Sequence, residues 1–334
     1  MPLFLAMLRE QTAANPARMT RALAGLRKYQ EAPRSDPPPP KPVLATCHNA
    51  ALRDYGGDGL PVLFVPSLIN PPNILDLSEE RSLLRRLARE GRRVLLLDWG
   101  WPDDGRKPMD VAAHVERIAV PLIAGLPEPP DLVGYCLGGT MAAAAAQLTP
   151  VRSLVTIATP WHFSAYPEPA RADLQRLWSQ VQPSVETLGL LPMEALQSAF
   201  WNLDPARTIA KFESFADLEG DEARAFVTLE DWANDGPPLS EAAAREMFED
   251  FFAADRPGRG LWRVGGQTID PSGLDVPLLN IVSATDRIVP SSTAIRAGDH
   301  IELSQGHVGM VVGSARERLW KALSDWLSRT AANC

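Results

Sequence analysis

Cys136 stands in Gly134-Tyr135-Cys136-Leu137-Gly138-Gly139, at the end of a short apolar run and the start of an alanine-rich stretch. The hexapeptide has the form of a nucleophile elbow, Gly-x-nucleophile-x-Gly, with cysteine in place of serine. Its glycines have a physical task. The bend is so tight that side chains beside the nucleophile would clash, and the nucleophile itself must hold a strained backbone. The helix expected from Gly139 through Ala146 aims its positive end at the sulfur and favours the attacking thiolate. Taken alone, such a hexapeptide discriminates weakly, because a free cysteine is more often a small buried hydrophobe.

Order along the chain adds weight. Asp286 follows an apolar run that ends near Ser283, and His307 lies in Gly306-His307-Val308-Gly309 after a further expected strand. Asp286 is 150 residues beyond Cys136, and His307 is 21 residues beyond Asp286. Nucleophile, acid and histidine in that succession are the triad order of an α/β-hydrolase. His307 would take the thiol proton and later return it to a leaving group. Asp286 would hold the imidazole tautomer and stabilise its charged form. The N–H of Leu137 is one expected oxyanion donor. The second is expected from the loop Pro66-Ser67-Leu68-Ile69-Asn70, at Leu68 or Ile69. Each residue has a plainer reading: Asp286 as a cap of the following segment, His307 as a turn residue. Of the other histidines, His48 and His114 are expected at the surface and His300 in a structural place. His162 sits where a strand ends, within reach of a supporting role.

The elements that must position these groups are legible as continuous apolar runs bounded by breakers. They are Pro61–Pro66, Val94–Asp98, Leu132–Gly134, Leu154–Ala158, Pro277–Ser283 and His300–Leu303. Helical stretches alternate with them: Ser78–Glu90 capped by Ser78, Val111–Ile123, and Ala315–Ser328 with Leu319, Leu323 and Leu327 on one face. Such runs predict a mainly parallel sheet covered by helices on both faces. Between Phe163 and Gln267 the rhythm stops, and a helical, proline-interrupted insertion carries Trp178, Trp201, Trp232 and Trp262. The expected division is a helical leader with a proline-rich linker (1–42), a core (43–162 and 268–334) and a lid or cap (163–267). Pro37–Pro40 reads as a stiff polyproline-type linker. The leader is open to two readings, a docking element or a disordered extension.

Composition narrows the class further. A chain of 334 residues with 45% hydrophobic residues can bury a large core. A net charge of −8 argues against non-specific binding of nucleic acid. Three cysteines, Cys47, Cys136 and Cys334, make no disulfide framework and fit a reducing cytoplasm. The apolar start is too short for a signal peptide core, and no run approaches the ~20 residues that span a bilayer.

Several motifs together resemble the polyhydroxyalkanoate synthases. They are the elbow with Thr140; Val65-Pro66-Ser67-Leu68-Ile69-Asn70 with Ile74-Leu75-Asp76-Leu77; Asp98-Trp99-Gly100-Trp101-Pro102; Asp286-Arg287-Ile288-Val289-Pro290; and Gly306-His307-Val308-Gly309. Leu229-Glu230-Asp231-Trp232 and Phe248-Glu249-Asp250-Phe251-Phe252 extend the resemblance into the insertion. It covers roughly residues 43 to 328. The short chain is most similar to the catalytic subunit of the two-component synthases, which work with a second, smaller protein. The resemblance implies that Cys136 accepts a 3-hydroxyacyl group from coenzyme A as a thioester and that His307 activates the thiol. It implies that Asp286 helps activate the substrate 3-hydroxyl, so that the polyester chain grows and coenzyme A leaves. The substrate class is 3-hydroxyacyl-CoA, with 3-hydroxybutyryl-CoA first in expectation. No cofactor and no metal are implied. A homodimer formed through the lid region, and a cytoplasmic place at the polyester granule surface, are implied by the same resemblance.

The chain also departs from the family. Arg287 stands where a histidine is usual, Pro71 where Arg or Lys is, Asn73 where an aromatic is, and His162 where Asp is common. These positions surround the site mouth. They leave the triad intact and leave substrate and polymerase activity open. Two other readings of the same residues stand beside the synthase. One is a depolymerase or acyl-CoA thioesterase in which water resolves the acyl-enzyme. The other is a granule-associated protein without catalysis.

Overall fold

In the computed structural model, which describes residues 2–34 and 39–332, the apolar runs pair into one eight-stranded sheet. Its strands are β1 (Val43–Cys47), β2 (Ala50–Asp54), β3 (Pro61–Val65), β4 (Arg93–Asp98), β5 (Asp131–Tyr135), β6 (Ser153–Ile157), β7 (Leu278–Ser283) and β8 (Asp299–Leu303). The spatial order is β1-β2-β4-β3-β5-β6-β7-β8. All pairs from β4 to β8 are parallel, whereas β2 pairs antiparallel with both β1 and β4. Every residue of β3, β5, β6 and β7 is buried, which is why these strands read as unbroken apolar runs rather than alternating ones. Pairing of Val65 with Gly134 and of Tyr135 with Ile157 brings the C-terminal ends of β3, β5 and β6 level. That is the end of a parallel sheet where active-site groups gather.

The chain divides into two compact units that differ from the expected leader, core and lid. One unit is Met1–Pro40 with Met193–Gly236; the other is Lys41–Pro192 with Pro237–Cys334. The leader therefore packs with part of the insertion. Its helices Pro2–Thr12 and Pro16–Glu31 bury Phe4, Leu8, Ala22 and Leu26 against Ile209 and Phe212 of the helix Pro205–Phe215. Gly25 permits the close approach, since a Cβ there would lie 1.9 Å from the Phe212 carbonyl oxygen. Arg18 pairs with Glu213 at 2.6 Å, and the Tyr29 hydroxyl donates to Asp231 at 2.7 Å. Large apolar side chains buried in this way, such as Phe4, Leu8 and Leu26, stabilise the packed leader by roughly 1.5–3 kcal/mol each. Pro37 and Pro38 of the expected linker, and Cys334, lie outside the described residues.

The rest of the insertion belongs to the unit with the sheet. Trp178 lies flat on Phe248 (centroids 5.1 Å apart, planes 7°) and donates its indole N–H to Glu249 at 2.9 Å. Trp262 is buried between Phe251 and Trp161. Among the described residues no helix is long and apolar enough to cross a membrane.

The structure differs from the sequence expectation at Ser78 and at His114. The helix expected over Ser78–Glu90 is shorter, Leu83–Arg89, and its cap is Ser82, whose hydroxyl accepts from the Arg85 N–H at 3.0 Å. Asp76 binds the Arg85 guanidinium at 2.6 Å, which holds the segment before Ser82 in a turn. His114, expected at the surface, is buried under the helical stretch that begins at Val111, with Nδ1 2.7 Å from the Asp110 carbonyl oxygen. Burial lowers its pKa to about 4, so the ring is uncharged at neutral pH.

A neighbouring carboxyl is shifted the other way. Glu246, 8% exposed, accepts from the Ala112 N–H (3.0 Å) and from the Trp262 indole N–H (2.7 Å). Burial and the Asp110 charge outweigh these donors and push its pKa up to about 7, from an ordinary 4.5. The folded protein thus holds this proton more tightly than the unfolded chain. Stability is unaffected by the group below pH 4.5, falls as pH rises towards 7, and is lower by roughly 3 kcal/mol above that. We expect Glu246→Gln to flatten this slope. Urea unfolding at pH 5 and pH 8 should show a smaller difference between the two pH values than in the wild type. An equal difference would mean that Glu246 is ionised without penalty in the fold.

Candidate active site

The elbow forms where β5 meets the helix Leu137–Leu148. Cys136 lies between them with φ 56° and ψ −132°, in the region that non-glycine residues rarely adopt. Holding it there costs on the order of 1–3 kcal/mol, and the surroundings impose it. The Cys136 N–H donates to the Ile157 carbonyl at 2.9 Å, and its own carbonyl accepts from the Gly139 N–H at 2.9 Å. The flanking glycines are required by space. A Cβ on Gly134 would lie 2.3 Å from Gly139 Cα, and one on Gly138 would lie 2.1 Å from the Val65 carbonyl oxygen. One on Gly139 would meet the Thr159 hydroxyl at 1.8 Å. The helix behind the sulfur is buried through Ala145, so its N-terminal dipole acts with little screening by water.

Asp286 and His307 meet across the ends of β7 and β8. Asp286 Oδ2 lies 2.7 Å from His307 Nδ1. Its Oδ1 accepts from the N–H groups of Ile288 (2.8 Å) and Val289 (2.9 Å). The carboxylate therefore caps its own turn with one oxygen and orients the imidazole with the other, which unites the two readings open in the sequence. The two loops are tied together: the Ser283 hydroxyl donates to the Gln305 carbonyl, and the Thr285 hydroxyl to the Ser304 carbonyl at 2.8 Å.

The His307 imidazole also lies within electrostatic reach of Cys136. Burial disfavours its charge, but the charges of Asp286 and Cys136 and the hydrogen bond to Asp286 outweigh burial and raise its pKa to about 10. At neutral pH the ring carries the proton. Since this pKa is raised above the ordinary 6.5, the associated stability is complete below that pH and is lost as pH rises towards 10. An imidazolium held against a sulfur at a helix N-terminus is an arrangement for an acyl-accepting thiolate.

The loop after β3 separates the two candidates for the second oxyanion donor. The Ile69 N–H is engaged by the Ser67 hydroxyl at 3.0 Å. Leu68 is buried, and its N–H has no partner within the loop among the described residues. Leu137 is the first residue of the helix behind Cys136. His162 makes no hydrogen bond to Asp286 or His307 among the described residues, and burial, with the nearby Arg296 charge, lowers its pKa.

Two tyrosines stand beside these groups. Tyr135 stacks on the His307 ring (5.0 Å, 30°), and its hydroxyl reaches the His307 carbonyl at 3.4 Å. It sits inside the elbow hexapeptide, so its place was available to sequence reasoning. Tyr166 is buried against Phe163 and Phe252. Burial, and then the charges of Cys136 and Asp286, hold its hydroxyl far above the ordinary tyrosine range. Nothing in the local sequence announces it.

The alpha/beta hydrolase fold family matches residues 61–308. The chain is 30% identical over 288 residues to the poly(3-hydroxyalkanoate) polymerase subunit PhaC of Allochromatium vinosum, covering 80% of this chain and 81% of that one. It is 29% identical over 290 residues to the protein of that name from Thiocystis violacea, covering 80% of each. Among solved structures, an epoxide hydrolase from Bacillus megaterium superposes with a TM-score of 0.56 at 15% identity, over 85% of this chain and 99% of the other. A putative non-heme bromoperoxidase from Mycobacterium tuberculosis superposes with a TM-score of 0.54 at 15% identity, over 86% and 98%. The two structures share the fold.

Proposed function

We propose, for a chain that belongs to the poly(3-hydroxyalkanoate) polymerase family on an α/β-hydrolase fold, that Cys136 carries the growing 3-hydroxyacyl chain as a thioester. The observation that supports this most directly is the 2.7 Å hydrogen bond of Asp286 to His307, whose ring is within electrostatic reach of Cys136 at the strained elbow. The Cys136 thiolate attacks the thioester carbonyl of a 3-hydroxyacyl-CoA. The N–H groups of Leu137 and Leu68 receive the oxyanion, the bond to the coenzyme sulfur breaks, and the His307 proton passes to the departing thiolate. Exchange between thioesters is nearly balanced in energy, so a thiol nucleophile suits the step.

In the second step a 3-hydroxyl group attacks the Cys136 thioester. Its proton goes to His307, a carbon–oxygen bond forms, and the Cys136 thiolate is regenerated. Asp286 has one oxygen on His307 and the other on two N–H groups. We therefore assign deprotonation of the hydroxyl to His307, with Asp286 acting through it, in place of the direct role that the family resemblance implied.

The test is coenzyme A release from 3-hydroxybutyryl-CoA, with the acyl product followed by mass spectrometry. It is run with the chain alone and with added second subunits from two-component synthases. Oligoester alongside free coenzyme A is the expected result. Free 3-hydroxybutyrate without oligoester would assign the triad to hydrolysis.

A further inference from the structure

Resting on the reading above, we infer that Trp99 is a positioning residue: its indole N–H fixes the loop that presents the Leu68 oxyanion donor, and Arg106 fixes Trp99 in turn. Trp99 lies just beyond β4 and is 3% exposed. Its indole N–H donates to the Pro66 carbonyl at 2.9 Å. Pro66 is the residue at which β3 turns into the oxyanion loop, and its carbonyl is also the group against which the elbow packs. A Cβ on Gly138 would lie 2.4 Å from that oxygen. The loop is thus pinned at two points, at Pro66 by Trp99 and at Ile69 by the Ser67 hydroxyl. The Leu68 N–H lies between them, with its direction set by both.

Trp99 is itself held from behind. Arg106, 3% exposed, donates through a terminal guanidinium nitrogen to the Trp99 carbonyl. Its Nε has no hydrogen-bond partner among the described residues. Asp103 binds the Arg106 backbone N–H at 3.0 Å, and Asp98 holds the Gly100 N–H at 3.0 Å while pairing with Arg53. Leu68, Trp99, Arg106 and His114 line one small cavity, so the side chain of the donor residue packs on the same support. A buried guanidinium aimed at a backbone carbonyl, with one N–H unused, is costly for stability alone, since an apolar side chain would fill the space without desolvating a charge. Rigid support of an oxyanion donor gives it a purpose, because such donors act only when preorganised to within fractions of an ångström.

Trp99→Phe keeps an aromatic ring, though a smaller one, and removes the donor. Replacement of Trp99 by 3-benzothienylalanine does the same with closer shape, and serves if the phenylalanine variant is unstable. Three quantities are read for each: acylation of Cys136 by p-nitrophenyl butyrate, which needs an oxyanion hole but no polymerisation; kcat and KM for coenzyme A release from 3-hydroxybutyryl-CoA; and alkylation of Cys136 by iodoacetamide from pH 6 to 9, which needs no oxyanion hole. The expected result is acylation and kcat reduced about tenfold, KM within about twofold, and alkylation unchanged across the pH range. Acylation at the wild-type rate would overturn the inference. So would a parallel fall in alkylation, which would place Trp99 under the nucleophile instead. If polymerisation fails in the wild type but ester acylation falls as expected in the variant, the synthase reading fails and the inference stands.

Discussion

Cys136→Ala should abolish coenzyme A release from 3-hydroxybutyryl-CoA, with a loss of about 10⁴-fold or more and no oligoester detectable by mass spectrometry. The reason is that every bond change in the proposed cycle passes through the sulfur. Removing a covalent nucleophile leaves only binding and the oxyanion donors, and these alone give a small residue of the rate. Fold should survive the change, because Ala is smaller than Cys, and the strained φ of 56° is imposed by the strand, the helix and the three glycines around it. An unchanged melting midpoint together with lost turnover is therefore the informative outcome. Cys136→Ser separates position from chemistry: a hydroxyl at the elbow is a weaker nucleophile and a poorer leaving group, so it should acylate slowly and release its acyl group more slowly still. Turnover retained in Cys136→Ala would remove the thioester from the mechanism.

His307→Gln should reduce turnover by about 10³–10⁴-fold and slow iodoacetamide alkylation of Cys136 at pH 7 by at least about tenfold. In the wild type the imidazole carries a proton up to about pH 10 and faces the sulfur. Glutamine can fill the space but cannot supply that charge or move a proton. Asp286→Asn tests the next link. Its Oδ1 contacts to Ile288 and Val289 can persist, but an amide turned towards Nδ1 no longer anchors the same tautomer or balances the imidazolium. We expect a loss of about 10²–10⁴-fold in turnover and a His307 that gives up its proton at lower pH, readable in the pH profile of alkylation. Alkylation at the wild-type rate in both variants would mean that the thiolate owes nothing to the pair.

The candidate site residues and their order stand out in the sequence because an elbow demands small residues at fixed offsets and because β5, β6 and β7 are unbroken apolar runs. Gly134, Gly138 and Gly139 each face an atom that a Cβ could not avoid, so the hexapeptide states its own geometry. Ser82 shows where such reading fails. Ser78 and Ser82 are both acceptable caps by type, and the choice fell to Ser82 because Asp76 reaches forward to Arg85 and holds the intervening turn. His114 fails for a related reason: a polar ring on a short helix looks exposed until the elements that cover it are known.

The fold class, and Cys136, Asp286 and His307 in that succession as candidates, are legible from local periodicity and from steric demands within a few residues. It took packing to show that the leader packs with residues 193–236, that Asp286 shares its two oxygens between a turn and an imidazole, and that the Ile69 N–H is engaged by Ser67. The first of these is a contact between side chains nearly 200 positions apart, such as Arg18 and Glu213. The others depend on which way a particular oxygen or amide points once its loop is pinned. Neither kind of information has a period along the chain, because it is set by packing after the strands have paired.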